Sequence, residues 1–326
     1  MIISRTPLRM SFGGGGSDLS VYYKTGHGSV VSTTINKYIY ITVNKKFDDL
    51  IRVCYSKNEL VESVDDIEHN IIREAMKIVG IEKGIEIVYM GDIPLGSAGI
   101  GLGSSSSLAV GVLNALYAYK GEHASAEKLA QEACKIEIEI LKNPIGKQDQ
   151  YAAAYGGFNH IQFNADESVF VDPIICDPKT KEKLKGNLML FFTGLERISS
   201  NILCEQKEKT HENLEYLDKI VGLSEEIRKN LLENNLAGFG EILHKGWMSK
   251  KKLASLISNS HIDEVYSKAI NAGAIGGKIL GAGGGGFVLL YCDNGFQGKV
   301  RSVLSNMMES TFQFEPQGSK IIYVSE

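Results

Sequence analysis

The chain lacks a long hydrophobic run and an excess of either charge. No apolar segment in its 326 residues reaches the roughly 20 residues of a membrane-spanning helix. The N-terminus, MIISRTPLRMS, has neither the apolar stretch nor the cleavage site of a secretory signal. Lys and Arg number 35 against 39 Asp and Glu, a net charge of −4, which gives no basis for nucleic-acid binding. We therefore expect a cytoplasmic protein that binds neither membrane nor nucleic acid.

Cysteine is scarce and irregularly spaced. The five cysteines form no C-x-x-C pair, and the seven histidines form no H-E-x-x-H motif. Disulfide frameworks and zinc sites depend on such regular spacings. We therefore expect reduced thiols and no zinc chemistry.

Glycine, in contrast, is abundant, and one Gly/Ser segment is the most informative feature of the sequence. A loop from Gly96 to Ser107 continues directly into an apolar, Ala- and Leu-rich helical pattern that ends near residue 119. Glycines followed by a helix N-terminus present free N–H groups and a positive dipole end, which together favour an anion such as phosphate. No lysine follows Gly103, which excludes a Walker A loop. A flexible linker is the alternative interpretation.

Two further glycine clusters flank this loop in the sequence. Gly13 to Gly16 precede Ser17 and Asp18 between two β-rich segments, where the alternative is a mobile hairpin tip. The other cluster, KILGAGGGGF, satisfies G-x-G-x-x-G formally. A dinucleotide fingerprint opens a helix, whereas this one is followed by the strand-like FVLLY, so a Rossmann site is not expected.

Periodicity and turn residues predict alternating strands and helices. Strands are expected near both ends of the chain and around each glycine cluster, and residues 143–150 are expected to form a turn. Residues 165–186 are polar and poor in strand-forming residues, so we place a domain boundary there. Helices are predicted at residues 65–80, 125–142, 198–221, 224–234, 236–258, 261–272 and 299–310.

Three acidic residues in the middle of the chain suit phosphoryl transfer, which needs a metal carboxylate and an acid near the attacking hydroxyl. Glu137 or Glu139 could ligate Mg²⁺ together with a loop serine, since Mg²⁺ prefers hard oxygen ligands. Asp149 could accept the hydroxyl proton. For each acid taken alone, the alternative is a solvated helix or turn residue.

The three glycine motifs, in this order, resemble those of the GHMP small-molecule kinases. The segments are TPLRMSFGGGGSD, PLGSAGIGLGSSSS and KILGAGGGGF, with GKQDQYAAAYGG between the second and the third. The resemblance covers essentially the whole chain. It implies an α+β fold with an N-terminal ribosomal-protein-S5-like domain at residues 1–180 and a C-terminal ferredoxin-like domain at 181–326. It also implies an enzyme that transfers phosphate from ATP to an alcohol group, with Mg²⁺.

The segments PLRMSFGGGGSD and GKQDQY are similar to those of a narrower branch of sugar kinases. That branch phosphorylates the anomeric C1 hydroxyl of D-glycero-D-manno-heptose 7-phosphate to the 1,7-bisphosphate, for nucleotide-heptose synthesis, or that of L-fucose. The heptose phosphate is the expected acceptor, and L-fucose or another hexose is the alternative. A catalytically inactive regulator that binds sugar or nucleotide is the alternative of another class. A homodimer is left open.

The resemblance implies roles for individual residues. Arg9 and Asp149 are expected to be catalytic, and Ser105 and Glu137 to bind the metal, with Glu139 still open as the carboxylate. The expected ATP-phosphate ligands are Gly99, Gly101, Leu102, Gly103, Ser104, Ser105 and Ser106. The expected substrate ligands are Gly15, Gly16, Ser17, Asp18, Lys147, Arg197, Gly283, Gly284 and Gly285.

One departure from the family pattern concerns the segment before the Gly-Leu-Gly core. Six residues separate Pro94 from Gly101, where the family usually has about three. We expect this extension, around residues 97–100, to form a mobile flap over the nucleotide phosphates.

Overall fold

A computed structural model describes residues 1–93, 100–195 and 199–325, except the Ser199 side chain. The sequence predictions for Gly99, for Arg197 and for most of the loop extension therefore lie outside the described residues. The strands are β1 (Ile2–Gly13), β2 (His27–Lys45), β3 (Ile51–Cys54), β4 (Asn58–Val61), β5 (Ile85–Gly91), β6 (Phe158–Asn164), β7 (Val169–Pro173), β8 (Leu188–Phe192), β9 (Gly276–Ile279), β10 (Phe287–Tyr291), β11 (Met308–Glu309), β12 (Phe314–Glu315) and β13 (Lys320–Val324). The helices are α1 (Ser20–Tyr23), α2 (Asn70–Val79), α3 (Ser104–Tyr119), α4 (Ala126–Cys134), α5 (Gln148–Tyr155), α6 (Pro178–Asn187), α7 (Ser199–Glu208), α8 (Leu214–Leu232), α9 (Phe239–Lys250), α10 (Ser260–Asn271) and α11 (Asn294–Val303).

A nine-stranded sheet forms the first part of the molecule, with the long strand β2 at its centre. β2 pairs antiparallel with β1, β5, β6 and β12, and β1 pairs in turn with β13. Helix α3 packs on β1 and β2 and is buried along most of its length, which explains its Ala- and Leu-rich sequence. This packing directs the N-terminus of α3 toward the end of β1 that carries Arg9.

A four-stranded antiparallel sheet in the order β11-β8-β10-β9 forms the second part. Among its helices, α9 packs on β9 and β10 and also reaches β1, so the two sheets are joined through this helix. The loop between β9 and β10 carries the third glycine cluster. The expected α+β architecture with two sheets is confirmed.

The C-terminal strands return to the first sheet. β12 pairs with β2 and β13 with β1, although they follow β11 of the second sheet in the chain. The predicted boundary at residues 180/181 falls inside α6. The division of the chain into two domains at that point stays a prediction, with the last strands as a segment that crosses it.

Several local predictions were wrong in their boundaries. The helix predicted over 125–142 is α4 followed by a π-helical turn, Lys135–Ile140, and the predicted turn 143–150 already contains the start of α5. Residues 165–186 contain β7 and most of α6. The helix predicted at 198–221 is α7 and the first part of α8 with a break between them, and the predicted break at 222–223 falls inside α8. The patterns 236–258 and 261–272 form α9 and α10 with shifted ends, and the last predicted helix is α11, which ends at Val303. Among the described residues, no helix is long and apolar enough to cross a lipid bilayer.

Candidate active site

A cavity of about 350 Å³, with several charged side chains in its lining, lies between the two parts of the molecule. Its wall includes residues of β1, the loop before α3, the π-helical turn, α5, α7 and α9. Two glycine-rich segments complete it: the first glycine turn, residues 14–18, and the third glycine loop, residues 280–286. The three glycine clusters, far apart in the sequence, are therefore neighbours in space. The cavity is the place where the predicted phosphate and substrate groups converge.

Two glycines shape the loop that leads into α3. Gly101 and Gly103 have φ angles of 84° and 76°, a left-handed conformation that glycine adopts without strain. A methyl group on Gly103 would lie 3.2 Å from Arg9 Cγ and 3.4 Å from Asp149 Cγ. The loop therefore approaches both residues closely, and the N–H groups at the start of α3 are available to an anion.

Arg9 joins this loop to Asp149. Its Nε and Nη2 donate to Asp149 Oδ1 and Oδ2 at 2.7 and 2.8 Å, and its Nη1 donates to the Gly101 carbonyl at 2.7 Å. The Arg9 backbone N–H also donates to the Leu102 carbonyl at 3.0 Å. Because the Arg9 side chain is only 3% exposed while that of Asp149 is 24% exposed, the arginine fixes a carboxylate that remains open to the cavity. The rigid fork of a guanidinium suits this bidentate contact.

Glu137 faces the loop serines from the π-helical turn. It is fully buried and accepts hydrogen bonds from the hydroxyls of Ser105 and Ser106, the latter at 2.7 Å, and from Gln150 Nε2 at 2.6 Å. Burial raises the pKa of the Glu137 carboxyl, although the three donors oppose this shift. Glu139 is exposed. Of the two acids considered as metal ligands, Glu137 is therefore the one that lies beside the loop.

The pair of Glu137 and Ser105 has the chemistry of a Mg²⁺ site. Mg²⁺ is usually bound by one or two carboxylates together with substrate phosphates, rather than by a cage of protein ligands. Residues 1–93, 100–195 and 199–325 contain no cluster of three or more His, Cys, Asp or Glu that could hold a metal ion. A buried carboxylate next to a hydroxyl and an anion-binding helix N-terminus fits Mg²⁺ held jointly with a nucleotide.

The first glycine turn brings Asp18 to the cavity. Asp18 is 3% exposed, and its Oδ1 accepts the Gly16 backbone N–H at 2.9 Å. Burial raises the pKa of this carboxyl, and the charge of Asp149 raises it further. Gly16 and Asp18 line the cavity, whereas Ser17 builds the turn by donating from Oγ to the Gly14 carbonyl at 2.7 Å. Gly15 lies beside Lys250 Nζ, which would be 3.4 Å from a methyl group there.

Other predicted residues lie away from the cavity wall. Leu102 is buried behind the loop, and the Lys147 ammonium is paired with Glu167. Gly281 and Ala282 line the cavity from the third glycine loop. Gly283, Gly284 and Gly285 lie behind them, against Ile257 and Leu195. The assignment of Lys147 and of these three glycines to the substrate stays a prediction, and no described contact of theirs reaches the cavity.

The structure adds polar residues that the sequence did not reveal. Lys250 at the end of α9 lines the cavity, is 6% exposed and donates to the Gly281 carbonyl at 2.6 Å. Gln148 and Gln206 also line it. Gln148 stands within GKQDQY, one of the segments that resemble the family, but it was not singled out there. Lys250 begins a Lys-Lys-Lys run that is typical of a solvated helix end, and Gln206 lies among Glu and Lys. No signal in the sequence distinguishes Lys250 and Gln206 from surface residues.

Lys278 on β9 is a second buried lysine near this wall. It is 5% exposed, and its Nζ lies 3.5 Å from Ser11 Oγ. Burial lowers the pKa of Lys278 well below its usual range, and the nearby charges of Lys250 and Arg9 lower it further. Of the basic side chains in this region, Arg9 and Lys250 line the cavity, together with the carboxylates of Asp18, Glu137 and Asp149.

Comparison with known proteins gives a consistent result. Residues 51–157 match the GHMP kinases N terminal domain, and residues 227–310 match the GHMP kinases C terminal domain. The chain is 32% identical over 306 residues to the D-glycero-alpha-D-manno-heptose 7-phosphate kinase of Campylobacter jejuni, which covers 90% of this chain and 89% of that relative. It is 24% identical to the L-fucokinase/L-fucose-1-P guanylyltransferase of Bacteroides fragilis, over 94% of this chain and 36% of that protein. A crystal structure described as a D-glycero-D-manno-heptose 1-phosphate kinase from Bacteroides thetaiotaomicron superposes with a TM-score of 0.83, at 26% identity over the whole of both chains.

Proposed function

The chain belongs to the GHMP kinases and is a phosphotransferase that uses ATP, and from this premise we propose that it phosphorylates the anomeric C1 hydroxyl of D-glycero-D-manno-heptose 7-phosphate. The product is the 1,7-bisphosphate, a precursor for nucleotide-heptose synthesis. The observation that carries the proposal is the similarity to the heptose 7-phosphate kinase over nine tenths of both chains. The structural relative is described with the phosphate at position 1, so the phosphorylated position is the point that an experiment must decide.

Several side chains that line the cavity support this proposal. Asp149 is open to the cavity and accepts the proton of the attacking hydroxyl, while Arg9 holds its carboxylate in one orientation. The N–H groups at the start of α3 hold the phosphates of ATP, and the charges of Arg9 and Lys250 offset the charge of the transferred group. Asp18 binds a hydroxyl of the acceptor from the first glycine turn.

Glu137 and Ser105 would hold Mg²⁺ in this proposal. When bound, Mg²⁺ neutralises charge on the nucleotide phosphates. Glu137 is buried next to the serines and accepts a hydrogen bond from the Ser105 hydroxyl, so the two proposed Mg²⁺ ligands lie side by side.

We also propose a cytoplasmic location, since all five cysteines are free thiols. A homodimer is the alternative to a monomer.

An acceptor panel with product analysis tests the substrate. The purified protein is incubated with ATP, Mg²⁺ and, separately, D-glycero-D-manno-heptose 7-phosphate, the 1-phosphate isomer, L-fucose, galactose and mevalonate. Phosphorus and carbon NMR then identify the carbon that carries the new phosphate. We expect the highest kcat/KM for the 7-phosphate and a product phosphorylated at C1.

The other outcomes separate the alternatives. Preference for L-fucose or another neutral hexose would replace the heptose phosphate as the acceptor while keeping the C1 chemistry. Preference for the 1-phosphate isomer would overturn the proposed position of transfer. ATP binding without product for any acceptor would exclude the proposed reaction.

A further inference from the structure

Gln206 is a buried amide that lacks a partner. It lies on α7 with 2% of its surface exposed, and its Nε2 makes no hydrogen bond within the part of the chain that the structure describes. Buried amide groups are nearly always hydrogen-bonded, since an unpaired one loses its contacts with water without replacement. Gln206 also lines the cavity. The missing partner is therefore expected on the cavity side.

This amide lies beside the first glycine turn, where the acceptor is expected to bind, rather than beside the loop expected to bind the phosphates. A methyl group on Gly16 would come within 2.4 Å of Gln206 Nε2, so the amide lies directly on the first glycine turn. The same methyl group would lie 3.4 Å from carbon atoms of Leu217 and Leu253, so the protein side of the turn is apolar there. Gly16 in turn donates to Asp18, which places the amide near that carboxylate.

A second buried amide atom without a partner, the side-chain oxygen of Gln148, lies close to Asp18. The Gln148 backbone N–H is 3.4 Å from Asp18 Oδ2, and the Gln148 side-chain Oε1 is buried without a hydrogen-bond partner among the described residues. Gln148 lines the same cavity. An amide donor, a carboxylate and an amide acceptor thus lie around one part of the wall. Hydroxyl groups, which both donate and accept, complement such a set.

We propose that Gln206 is a specificity-determining residue that hydrogen-bonds one hydroxyl of a polyhydroxylated acceptor, while Asp18 and Gln148 hold its neighbours. The inference rests on the proposed function only in requiring that the cavity takes such an acceptor. A hydroxyl supplies the partner that Nε2 lacks. An analogue without that hydroxyl leaves the amide buried and unpaired, which is the strongest basis for discrimination in a binding site.

The test combines a change in the protein with a change in the acceptor. The variant is Gln206→Met, which keeps the size of the side chain but removes the amide. Its control is Gln131→Met, an exposed amide on α4 that donates to Glu127 at 2.7 Å. Steady-state kinetics are measured with the best acceptor of the panel and with its monodeoxy analogues, each of which lacks one hydroxyl. Calorimetry with a non-hydrolysable ATP analogue gives the acceptor dissociation constant independently of turnover.

We expect Gln206→Met to raise the acceptor KM and dissociation constant about tenfold, with the KM for ATP within about twofold of wild type. The wild type should bind one monodeoxy analogue more weakly than the complete acceptor. For that analogue alone, the wild type and the variant should have the same dissociation constant, because it lacks the hydroxyl contacted by Gln206. Gln131→Met should match the wild type throughout. If Gln206→Met does not fold, Gln206→Leu removes the amide with a smaller apolar side chain, and it carries the same test.

An unchanged acceptor dissociation constant in a folded Gln206 variant would overturn the inference, and so would equal losses for every monodeoxy analogue. The first result would mean that water satisfies the amide, and the second that Gln206 has a structural role. Failure of the proposed function has a different signature: the wild type prefers another acceptor, and the Gln206 comparison is then made with that acceptor.

Discussion

The two walls of the cavity differ in how their polar groups are paired. On the wall formed by β1, the α3 loop and the π-helical turn, the charged side chains of Arg9 and Glu137 already have partners: Arg9 makes three side-chain hydrogen bonds, and Glu137 accepts three. On the wall where α7 meets the first glycine turn, Gln206 Nε2 has no partner within the described chain, nor has Gln148 Oε1 across from it. The charged side chains of the first wall are therefore held in place before a ligand arrives, whereas these two amide groups have hydrogen-bonding capacity in reserve.

This difference matches what the two halves of a kinase reaction require. Phosphoryl transfer depends on fixed charges that need no rearrangement in the transition state. Acceptor choice depends on polar groups that are satisfied only by the correct ligand. Variants on the paired wall should therefore lower kcat, and variants on the unpaired wall should raise acceptor KM.

The largest effect is expected for Asp149→Asn. An amide cannot accept the hydroxyl proton, so we expect kcat to fall by about 10²- to 10⁴-fold, a range typical of general base catalysis. ATP binding, measured by calorimetry, should change little because the shape of the side chain is kept. Asp172→Asn, an exposed residue paired with Arg228, is the control. A kcat within tenfold of wild type would remove Asp149 from the mechanism.

A smaller loss is expected for Arg9→Lys. Lysine keeps the charge but cannot contact both Asp149 oxygens and the Gly101 carbonyl at the same time. We expect kcat to fall by about 10²-fold through misplacement of the carboxylate and the loop. Arg5→Lys on the same strand, which is partly exposed and near Glu315, should remain active. Equal kinetics for the two variants would show that charge alone matters at Arg9.

Glu137→Gln should change the response to Mg²⁺. With the carboxylate gone, we expect the Mg²⁺ concentration for half-maximal activity to rise about tenfold, in line with the loss of one hard anionic ligand. Glu139→Gln is the matched control because Glu139 is exposed two residues away. A Mg²⁺ titration of the three proteins decides the matter: a shift in Glu139→Gln instead would reverse the choice of ligand.

The smallest effect concerns the stability of the unoccupied protein. The pKa of buried Lys278 is lowered well below its ordinary 10.5. Between the lowered pKa and pH 10.5 the native chain therefore binds fewer protons than the unfolded chain, and stability falls as the pH drops from 10.5 toward the lowered pKa. Lys278→Met removes this penalty and should raise Tm by about 2 °C at pH 7, with the gap closing toward pH 10.5. Lys268→Met, an exposed residue on α10, should show no such pH dependence. A gap of equal size at pH 7 and pH 10 would mean that packing rather than charge is responsible.

The sequence predicted the strands and helices near the glycine motifs more accurately than those elsewhere. Glycine clusters next to alternating apolar residues mark strand ends and helix starts, and β5, α3, β9 and β10 were found as predicted. The segment 165–186 was misjudged because pairing with β6, rather than its polar composition, makes β7 a strand. The break between α4 and the π-helical turn has no sequence signature, since both halves share the same helical periodicity.

The sequence by itself determined the motifs and the kinase family they resemble, and it reduced the acids near the Gly/Ser loop to Asp149 and one of Glu137 and Glu139, because those residues stand in short segments whose chemistry is local. Only the tertiary structure decided between Glu137 and Glu139, placed Lys147 beside Glu167, and brought Lys250 and Gln206 into the cavity. The positions of Lys250 and Gln206 follow from how α9 and α7 pack against the first glycine turn. Such long-range packing leaves no periodic trace in the chain, and a glutamine or lysine in a polar helix has the same local pattern whether it faces solvent or a ligand.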